Sequence, residues 1–561
     1  MKMTEEQLIV SKLDSNAKVN AGAGSGKTTT IIEFVKNKDP KSKILYLVFN
    51  KSAKEDAQSK FLKRGVYNVQ IETAHSLAYS VIVRGRGYKV NHNDYKAQDL
   101  VEMLSINITD PENNANFIIA THLKKMMSMY CNSAIVKLSD LDYISTLINP
   151  KARGIVSRHI DYLIEKFKEY WTLMDKKKIE ITHDFYLKKY QLSKPVLNMD
   201  YICFDEGQDS SEVMLDIFSK QKAIKIIVGD THQQIYSWRY AVNSLDKMDY
   251  DTYYLSNSFR FGRGIAALAN SVLGLKQILC PGIEIKPING LGEFDTHKTH
   301  AVIARTNITL LIKAIEYCGK SNDIERVFFE GNLSSYTYAS EGTSLYDVLN
   351  LFLNKRSYIK DPFIRDEISS FSELEEFVES VEDGSTKMLI DIVKEYGASI
   401  PVIIKQIKEK NVQLKEEAQI IFTTVHKSKG IEYDSVEICN DFITESAIRK
   451  LINDKSPDEL NNISAGIQEE INMLYVALTR SKNKLYIPKQ LIPENTPIIG
   501  NIFPLNSFSS NDLKNEAKVW TELDDKIIKN MLRIKKTQKQ IAYSLKRSVP
   551  NVALRISELD L

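Results

Sequence analysis

Residues 21 to 28 read AGAGSGKT, and this glycine-rich stretch constrains the fold more than any other part of the chain. It fits the Walker A pattern, in which small residues let backbone N–H groups point at a phosphate. In that pattern Lys27 reaches the β- and γ-phosphates and the Thr28 hydroxyl binds Mg²⁺. The apolar approach ending at Val19 and the apolar position Ile31 predict a strand before the loop and a helix after it. A glycine turn that binds nothing is the alternative, which this flanking pattern disfavours.

A pair of adjacent acids supplies the carboxylates that such a loop needs. Asp205 and Glu206 follow an apolar run that begins at Tyr201. We expect Asp205 to hold Mg²⁺ through water and Glu206 to accept a proton from the attacking water. Two acids can also be a solvated strand end, but beside a Walker A loop the catalytic interpretation is favoured.

Apolar, β-branched runs with little alternation predict buried strands of parallel sheets. They lie at residues 44–49, 201–204, 226–228, 301–304 and 420–423. Helical, charge-rich stretches interrupt the two sets of strands. Because 561 residues exceed what one hydrophobic core can organise, we predict two α/β layers with helical insertions.

Composition narrows the class of protein further. No apolar run reaches the roughly eighteen residues of a membrane span, and the acidic start around Glu5 predicts no signal peptide. Five cysteines are scattered without a CxxC pair, which disfavours a zinc or iron–sulfur site and suits a reducing compartment. A net charge of +3 implies that any nucleic acid binds in a local groove. We expect a cytoplasmic protein, or a nucleoid-associated or nuclear one, with no membrane partner.

Further motifs follow in one order along the chain and resemble those of superfamily 1A helicases, the UvrD/Rep/PcrA-like group. The matching stretches are DEGQD at 205–209, GDTHQQIYSWR at 229–239, VFNKSA at 48–53, TAHSLA at 73–78, SNSFRFG at 256–262, TTVHKSKGIEYD at 423–434 and LYVALTRSKNKLYI at 474–487. FNKSA, SFRFG and a short second insertion resemble the F-box DNA helicase branch. So few residues precede Gln7 that we expect the match to cover the motor of that branch and not its F-box.

The resemblance implies an α/β fold with two RecA-like P-loop domains, helical insertions and a small C-terminal all-α module. The implied ranges are 1–84 and 196–252 for domain 1A, 85–195 for insertion 1B, 253–354 and 416–500 for domain 2A, 355–415 for a reduced insertion 2B, and 515–561 for the C-terminal module. The second insertion is much shorter than in the large UvrD-like enzymes, which puts their usual regulation by that insertion in doubt here.

The resemblance also assigns residues to ATP and Mg²⁺. Gln233 would sense the γ-phosphate and orient water, while Arg260 and Arg480 would reach the phosphates from the second domain and stabilise the transition state. The implied catalytic residues are Lys27, Asp205, Glu206, Gln233, Arg260 and Arg480, with Thr28 and Asp205 on the metal. The implied nucleotide contacts are Gln7, Ala23, Gly24, Ser25, Gly26, Lys27, Thr28, Thr29, Phe259 and Glu432. Many relatives carry an adenine-stacking arginine at the position of Thr29, so we expect the grip on adenine to rest on Gln7 and Phe259.

Hydrolysis in this family moves the motor along one DNA strand, 3′ to 5′. Aromatic platforms hold such a strand with little dependence on sequence, and Trp238 and Phe49 match platform positions, whereas we expect Tyr236 to be packed. Residues that match phosphate-contacting positions are Thr73, His75, Thr424 and His426. The expected partners are single-stranded and tailed duplex DNA, and DNA repair and recombination are roles typical of the group. A DNA-stimulated ATPase switch acting with a partner such as a nuclease is the alternative, and the motifs beyond residue 229 make a plain P-loop kinase improbable.

The last forty residues break from this pattern. Capping signals at Thr521, Thr537 and Ser548, followed by apolar residues at helical spacing, predict three short helices. They resemble a helix-turn-helix of the SANT/Myb-like kind that opens at Trp520. In DNA-binding versions the last helix would present Asn551 and Arg555 to the major groove, with Lys546 and Arg547 facing phosphate. A small bundle that docks on the motor or binds a protein partner is the other interpretation.

Overall fold

The structure is a computed structural model, and it forms two compact units. It describes residues 3–293, 298–320, 324–339, 342–455, 457–505 and 522–533, with 541, 545, 552, 555, 556 and 559. The first unit comprises Met1–Asp295, Glu445–Asn483 and Pro493–Asn501, and the second comprises Thr296–Thr444, Lys484–Ile492 and Ile502–Leu561.

A six-stranded parallel sheet forms the centre of the first unit, in the order β3-β2-β4-β5-β1-β6. Its strands are β1 Ala17–Ala21, β2 Ile44–Val48, β3 Val69–Thr73, β4 Tyr201–Phe204, β5 Ile224–Gly229 and β6 Asp251–Leu255. Two short strands, β7 Asn257–Ser258 and β8 Asn289–Gly290, pair separately. The P-loop strand β1 therefore lies inside the sheet, between β5 and β6.

Helices cover this sheet and form the first insertion. Those of the first unit are α1 Glu5–Ser11, α2 Lys27–Lys36, α3 Lys51–Lys63, α4 Ala74–Ile82, α5 Ala97–Met103, α6 Ala115–Asn132, α7 Pro150–Arg158, α8 Ile160–Asp175, α9 His183–Leu192, α10 Glu212–Ser219, α11 Ser244–Lys247, α12 Arg263–Leu279, α20 Glu445–Asp454 and α21 Pro457–Leu478. Helices α5 to α9 lie within the predicted insertion at 85–195.

Strand β2 shows why its sequence is apolar without alternation. Ile44, Tyr46 and Val48 join one hydrophobic core with the helix α2 residue Phe34. Leu45 and Leu47 point to the opposite face and join a second core with Phe204 and Phe218. Because successive side chains of a strand alternate between faces and both faces are covered by helices, every position is apolar.

A second six-stranded sheet forms the centre of the second unit, in the order β10-β11-β9-β12-β13-β14. Its strands are β9 His300–Ala304, β10 Val327–Phe329, β11 Ile420–Thr424, β12 Tyr433–Ile438, β13 Ser481–Pro488 and β14 Ile502–Leu505. Its helices are α13 Asn307–Lys320, α14 Leu345–Phe352, α15 Pro362–Asp366, α16 Phe371–Val381, α17 Gly384–Tyr396, α18 Ile400–Lys410, α19 Val425–Ser428 and α22 Glu522–Arg533. Helices α14 to α18 pack a large apolar core together with β11.

The predicted fold class is confirmed: each of the five predicted strand runs coincides with a strand, β2, β4, β5, β9 or β11. The predicted domain boundaries stay a prediction, and the division into compact units differs from them in part. Strand β6 runs past the predicted boundary at residue 252 because it pairs in parallel with β1 along its whole length. Helices α12, α20 and α21, which lie in the predicted domain 2A, belong to the first compact unit.

Only part of the C-terminal module falls within the described residues. There, Ile528, Ile541, Leu545, Val552 and Ile556 form a small buried cluster. Several predicted capping and DNA-contacting residues lie outside the described residues, namely Trp520, Thr521, Thr537, Lys546, Arg547, Ser548 and Asn551. None of the described helices is long and apolar enough to cross a membrane.

Candidate nucleotide and nucleic-acid site

Many of the predicted site residues lie at one edge of the first sheet. In a parallel sheet all carboxyl ends of the strands meet at the same edge, which is where such folds bind ligands. The segments that follow these ends are the P-loop after β1, Phe49 after β2, Thr73 and His75 at the end of β3, Asp205 and Glu206 after β4, Asp230 to Gln233 after β5, and Phe259 and Arg260 after β6.

The P-loop has the backbone that phosphate binding requires. Gly24 and Gly26 have φ values of 74° and 80°, in the left-handed region that favours glycine. Gly24 also lacks room for a side chain, because a Cβ there would lie 2.5 Å from Cβ of Arg260. Helix α2 begins at Lys27, so its N-terminus points at the loop.

Polar groups inside the loop remain available for an anion. The Ser25 hydroxyl oxygen is buried and has no hydrogen-bond partner within the described part of the chain. An unsatisfied buried hydroxyl calls for a ligand or water, since leaving one unpaired is costly. Together with the N-terminal amides of α2, this hydroxyl fits a bound triphosphate.

One of the two predicted Mg²⁺ ligands is held by a tyrosine. The Tyr46 hydroxyl donates to the Asp205 carboxylate. Burial, and then the neighbouring Glu206 carboxylate, raise the pKa of Asp205. No group of three or more His, Cys, Asp or Glu in the described ranges could hold a metal ion. Sequence reasoning missed Tyr46 because it reads as one more apolar position of β2.

Lys27 and Glu206 form an ion pair, with 2.8 Å between Nζ and Oε1. Burial acts to lower the pKa of Lys27, but the carboxylates of Glu206, Asp205 and Asp230 outweigh it and raise that pKa. The Gln208 amide donates to Glu206 at 2.5 Å and fixes the carboxylate from the other side. Lys27 therefore stays protonated among the three acidic side chains.

A buried chain of hydrogen bonds links the P-loop to Arg480. The Tyr475 hydroxyl accepts from the Ala23 N–H at 3.2 Å and donates to Asp230 Oδ2 at 3.0 Å. Gln233 Nε2 donates to the same Asp230 oxygen at 2.7 Å, and Arg480 Nη2 donates to Gln233 Oε1 at 3.4 Å. Asp230 and Tyr475 were not among the predicted site residues, although both lie inside the matched motifs.

Arg260 reaches the same region from β7. Its Nη1 donates to the Thr479 carbonyl oxygen at 3.1 Å, next to Arg480 in sequence. The sequence assigned both arginines to the second domain, whereas here they belong to the same compact unit as the P-loop. The physical reason is packing, because α12, which follows Arg260, lies against α21, which precedes Arg480.

The predicted adenine contacts surround the start of the loop. Gln7 completes a capping box with Thr4 at the start of α1, and its Nε2 donates to the Ser25 carbonyl oxygen at 3.1 Å. Phe259 is half-buried, and its N–H donates to the Gly24 carbonyl oxygen at 2.9 Å. Thr29 is half-buried in the first turn of α2. Gln7 and Phe259 are thus both hydrogen-bonded to the P-loop, and their contact with adenine stays a prediction.

Three aromatic side chains form a row, two of them from the segment after β5 and one from the segment after β2. The Phe49 and Tyr236 rings stack at 6.2 Å with an interplanar angle of 8°, and Trp238 meets Tyr236 edge-on at 6.5 Å. The Arg239 guanidinium lies 4.6 Å from the Trp238 ring centre. Trp238 is 62% exposed. Tyr236 is half-buried and packed, as expected, but it also joins the two predicted platform rings.

The predicted phosphate contacts lie at two helix starts. Thr73 caps α4, with its hydroxyl accepting from the Ser76 N–H at 3.0 Å. His75 lies in the first turn of α4, packs edge-on against Tyr186, and has a pKa lowered by burial. In the second unit, Thr424 is buried at the start of α19 and His426 is half-buried within it.

Two further predicted residues lie in the second unit. Glu432 is exposed just before β12. Arg555 forms a two-point ion pair with Asp525, with Nε and Nη2 at 2.9 and 2.8 Å from the carboxylate oxygens. A DNA contact by Arg555 would have to compete with this pair.

Known proteins resemble this chain over most of its length. Residues 3–252 match the model of the UvrD/REP helicase N-terminal domain, and residues 163–490 match that of the UvrD-like helicase C-terminal domain. F-box DNA helicase 1 of Gallus gallus is 30% identical over 525 residues, covering 88% of this chain and 49% of the relative. F-box DNA helicase protein 1 of Schizosaccharomyces pombe is 29% identical, covering 86% of this chain and 57% of the relative.

A relative of similar length is the Gabija protein GajB of Bacillus cereus, which is 24% identical, covering 86% of this chain and 94% of the relative. The chain spans only about half of the length of the two F-box relatives. The two family models together cover the P-loop, the acids after β4, the segment after β5 and Arg480. The chain belongs to the UvrD-like helicase family.

Proposed function

We propose that the protein is an ATP-dependent DNA helicase or translocase that moves 3′ to 5′ along single-stranded DNA. One observation carries the proposal: the buried chain from the P-loop through Asp230 and Gln233 to Arg480 continues, within one short segment, into the exposed ring of Trp238. Residues proposed for the nucleotide site and for base stacking thus lie in the same short segment, 230–239. This is the arrangement that coupling hydrolysis to movement needs.

The residues around the P-loop have different roles in phosphoryl transfer. A triphosphate at the loop competes with Glu206 for Lys27 and leaves the Glu206 carboxylate able to accept a proton from water. Gln233 and Arg480 meet at 3.4 Å and are placed to respond to charge on the γ-phosphate. Mg²⁺, held by Thr28 and Asp205, would shield the phosphate charge.

The aromatic row is the proposed single-strand surface. A base stacked on such a ring contributes roughly 1–3 kcal/mol with little dependence on sequence. Arg239 beside Trp238 adds a cation that can attract the DNA backbone. Thr73, His75, Thr424 and His426 are proposed to contact phosphates, Glu432 to lie near the ribose, and tailed duplexes to be substrates.

Strand displacement tests the proposal directly. ATP turnover is measured with no DNA, with single-stranded DNA and with duplex DNA, and displacement is measured on duplexes carrying a 3′ or a 5′ tail. We expect single strands to stimulate turnover and only the 3′-tailed duplex to be separated. Absence of DNA-stimulated turnover in the wild-type protein would overturn the proposal.

A DNA-stimulated ATPase switch acting with a partner such as a nuclease is the second candidate. The helices α15 to α18 between Pro362 and Lys410 support it, because a compact second insertion offers less surface to hold a duplex during unwinding. The same assay separates the two functions. Stimulated hydrolysis without separation of either tailed duplex would favour the switch.

A further inference from the structure

One face of helix α21 contacts the segment 230–239 at three points, from Asp230 to Ser237. At the exposed end, Glu469 accepts hydrogen bonds from the N–H of Ser237, at 3.1 Å, and from its hydroxyl. In the middle, Asn472 Nδ2 donates to the Gln234 carbonyl oxygen at 2.9 Å. At the buried end, Tyr475 donates to Asp230 at 3.0 Å.

The spacing of these three side chains places them in one row. Residues three apart in a helix lie on the same face, and the rise of 1.5 Å per residue puts Glu469 about 9 Å along the axis from Tyr475. Glu469, Asn472 and Tyr475, which we call the α21 contact row, therefore run parallel to the segment 230–239. A hydrogen-bonded helix is a stiff element, so the row fixes the distance between the two ends of the segment.

The row is also bound to the P-loop. The Tyr475 hydroxyl accepts from the Ala23 N–H as well as donating to Asp230, and Tyr475 is fully buried. Just beyond the helix, Arg480 contacts Gln233. A shift of the P-loop or of Gln233 would thus be passed to the helix that holds Ser237, whose neighbour is Trp238.

The hydrogen bonding of Asn472 indicates that its side chain has a role beyond packing. Its Oδ1 is buried and has no hydrogen-bond partner within the described residues, while its Nδ2 bonds to Gln234. An apolar side chain would avoid this unsatisfied oxygen, which is costly when buried. The polar side chain is therefore explained by the bond to the segment and not by packing alone.

We propose that Glu469 and Asn472 are positioning residues that tie the Trp238 ring to the state of the nucleotide site through α21. The inference rests on the proposed function, since it concerns how ATP binding reaches the DNA surface. Neither residue is among those proposed to contact the nucleotide or a base. Their loss should leave basal turnover and the KM for ATP unchanged while it weakens the communication between the two sites.

The main test compares Glu469→Ala with Gln468→Ala. Gln468 precedes Glu469 on the same helix but contacts Cys280 and Ser464 instead of the segment, so it is a matched control. We expect Glu469→Ala to lower the ratio of DNA-stimulated to basal turnover about tenfold, because a hydrogen bond to a charged group corresponds to at least that factor. Gln468→Ala should keep the wild-type ratio, and Asn472→Ser should lie between the two.

Fluorescence of Trp238 supplies a readout that does not depend on catalysis. A nonhydrolysable ATP analogue is added without DNA, and the signal of a Trp238→Phe protein is subtracted to remove the other tryptophans. The analogue should change the Trp238 signal in the wild type and in Gln468→Ala, and the change should be lost in Glu469→Ala. A Ser237→Ala, Glu469→Ala double variant should behave like Glu469→Ala alone, because the two residues share one interaction.

The outcomes separate this inference from the proposed function. A wild-type protein without DNA-stimulated turnover would contradict the proposed function itself. Wild-type stimulation together with an unchanged ratio and an unchanged Trp238 response in Glu469→Ala would overturn the inference alone. Equal losses in Glu469→Ala and Gln468→Ala would also overturn it, since they would indicate a general effect of altering α21.

Discussion

The two ends of the segment 230–239 lie in opposite environments. Asp230 and Gln233 are 1% and 5% exposed and hydrogen-bonded within a network of charged side chains, whereas Trp238 is 62% exposed and contacts other rings and a cation. Electrostatic stabilisation of a reaction is strongest where water is excluded. A base-stacking surface must instead stay open to its ligand. The difference fits the proposal that one short segment serves both hydrolysis and base stacking.

The largest effect is expected at the buried end from Lys27→Ala. The substitution removes the cation among Glu206, Asp205 and Asp230, so ATP turnover should fall by about 10³-fold or more. Steady-state turnover with saturating single-stranded DNA measures it. If turnover stays within a few-fold of the wild-type rate, the buried end of the segment is not the site of ATP hydrolysis. The proposed difference between the two ends would then be wrong.

Arg480→Ala should have the next largest effect. Arg480 is 1% exposed and bonds to Gln233, so its loss should lower turnover about 10²- to 10³-fold and also reduce thermal stability. Arg263→Ala is the matched control, because Arg263 is exposed at the start of α12. Equal effects of the two substitutions on turnover would contradict the role of the buried network.

Trp238→Ala tests the exposed end. Affinity for single-stranded DNA should fall by roughly 1–3 kcal/mol, while thermal stability and the KM for ATP stay close to wild type. Fluorescence anisotropy with a labelled oligonucleotide measures the affinity. Tyr358→Ala is a suitable control, since Tyr358 is 69% exposed in the second unit. A large loss of stability in Trp238→Ala would show that the ring is a packing residue.

The smallest expected effect is on the pH dependence of stability, through His232 at the buried end of the segment. Burial, and then the charge of Lys276, lower the pKa of His232 to about 4, and Lys276 Nζ lies 3.0 Å from His232 Nδ1. As the pH falls below about 6.5, the unfolded chain binds a proton that the folded chain does not. Stability should therefore drop by about 1 kcal/mol between pH 7 and pH 5.5. His232→Gln, which keeps an acceptor for Lys276, should lose this part of the acid sensitivity in thermal melts.

Much of the site could be predicted because its residues lie in short sequence motifs next to strand ends. The start of α2 at Lys27, the acids after β4 and the exposed Trp238 all follow from short motifs with a fixed relation to a strand end. The position of Arg480 beside Gln233 required the family resemblance, since these residues lie far apart in sequence. Their assignment to catalysis stays a prediction.

Other features depend on side chains whose type gives no local signal. Tyr46 occupies a position that apolar residues fill equally well, yet its hydroxyl donates to Asp205. Tyr475 lies among buried apolar residues of α21, and its hydroxyl partners are Ala23 and Asp230. The membership of α12 and α21 in the first compact unit depends on their packing against each other, which the residues of the two helices do not indicate locally.

Glu206 has φ = 53°, a left-handed backbone conformation that residues with a side chain adopt at a cost of roughly 1 kcal/mol or more. Glycine at this position would relax the chain and delete the carboxylate in the same step. Directed evolution that selects for heat resistance alone would therefore favour glycine at position 206, which yields an inactive protein. A screen for stable variants must select for ATP hydrolysis as well.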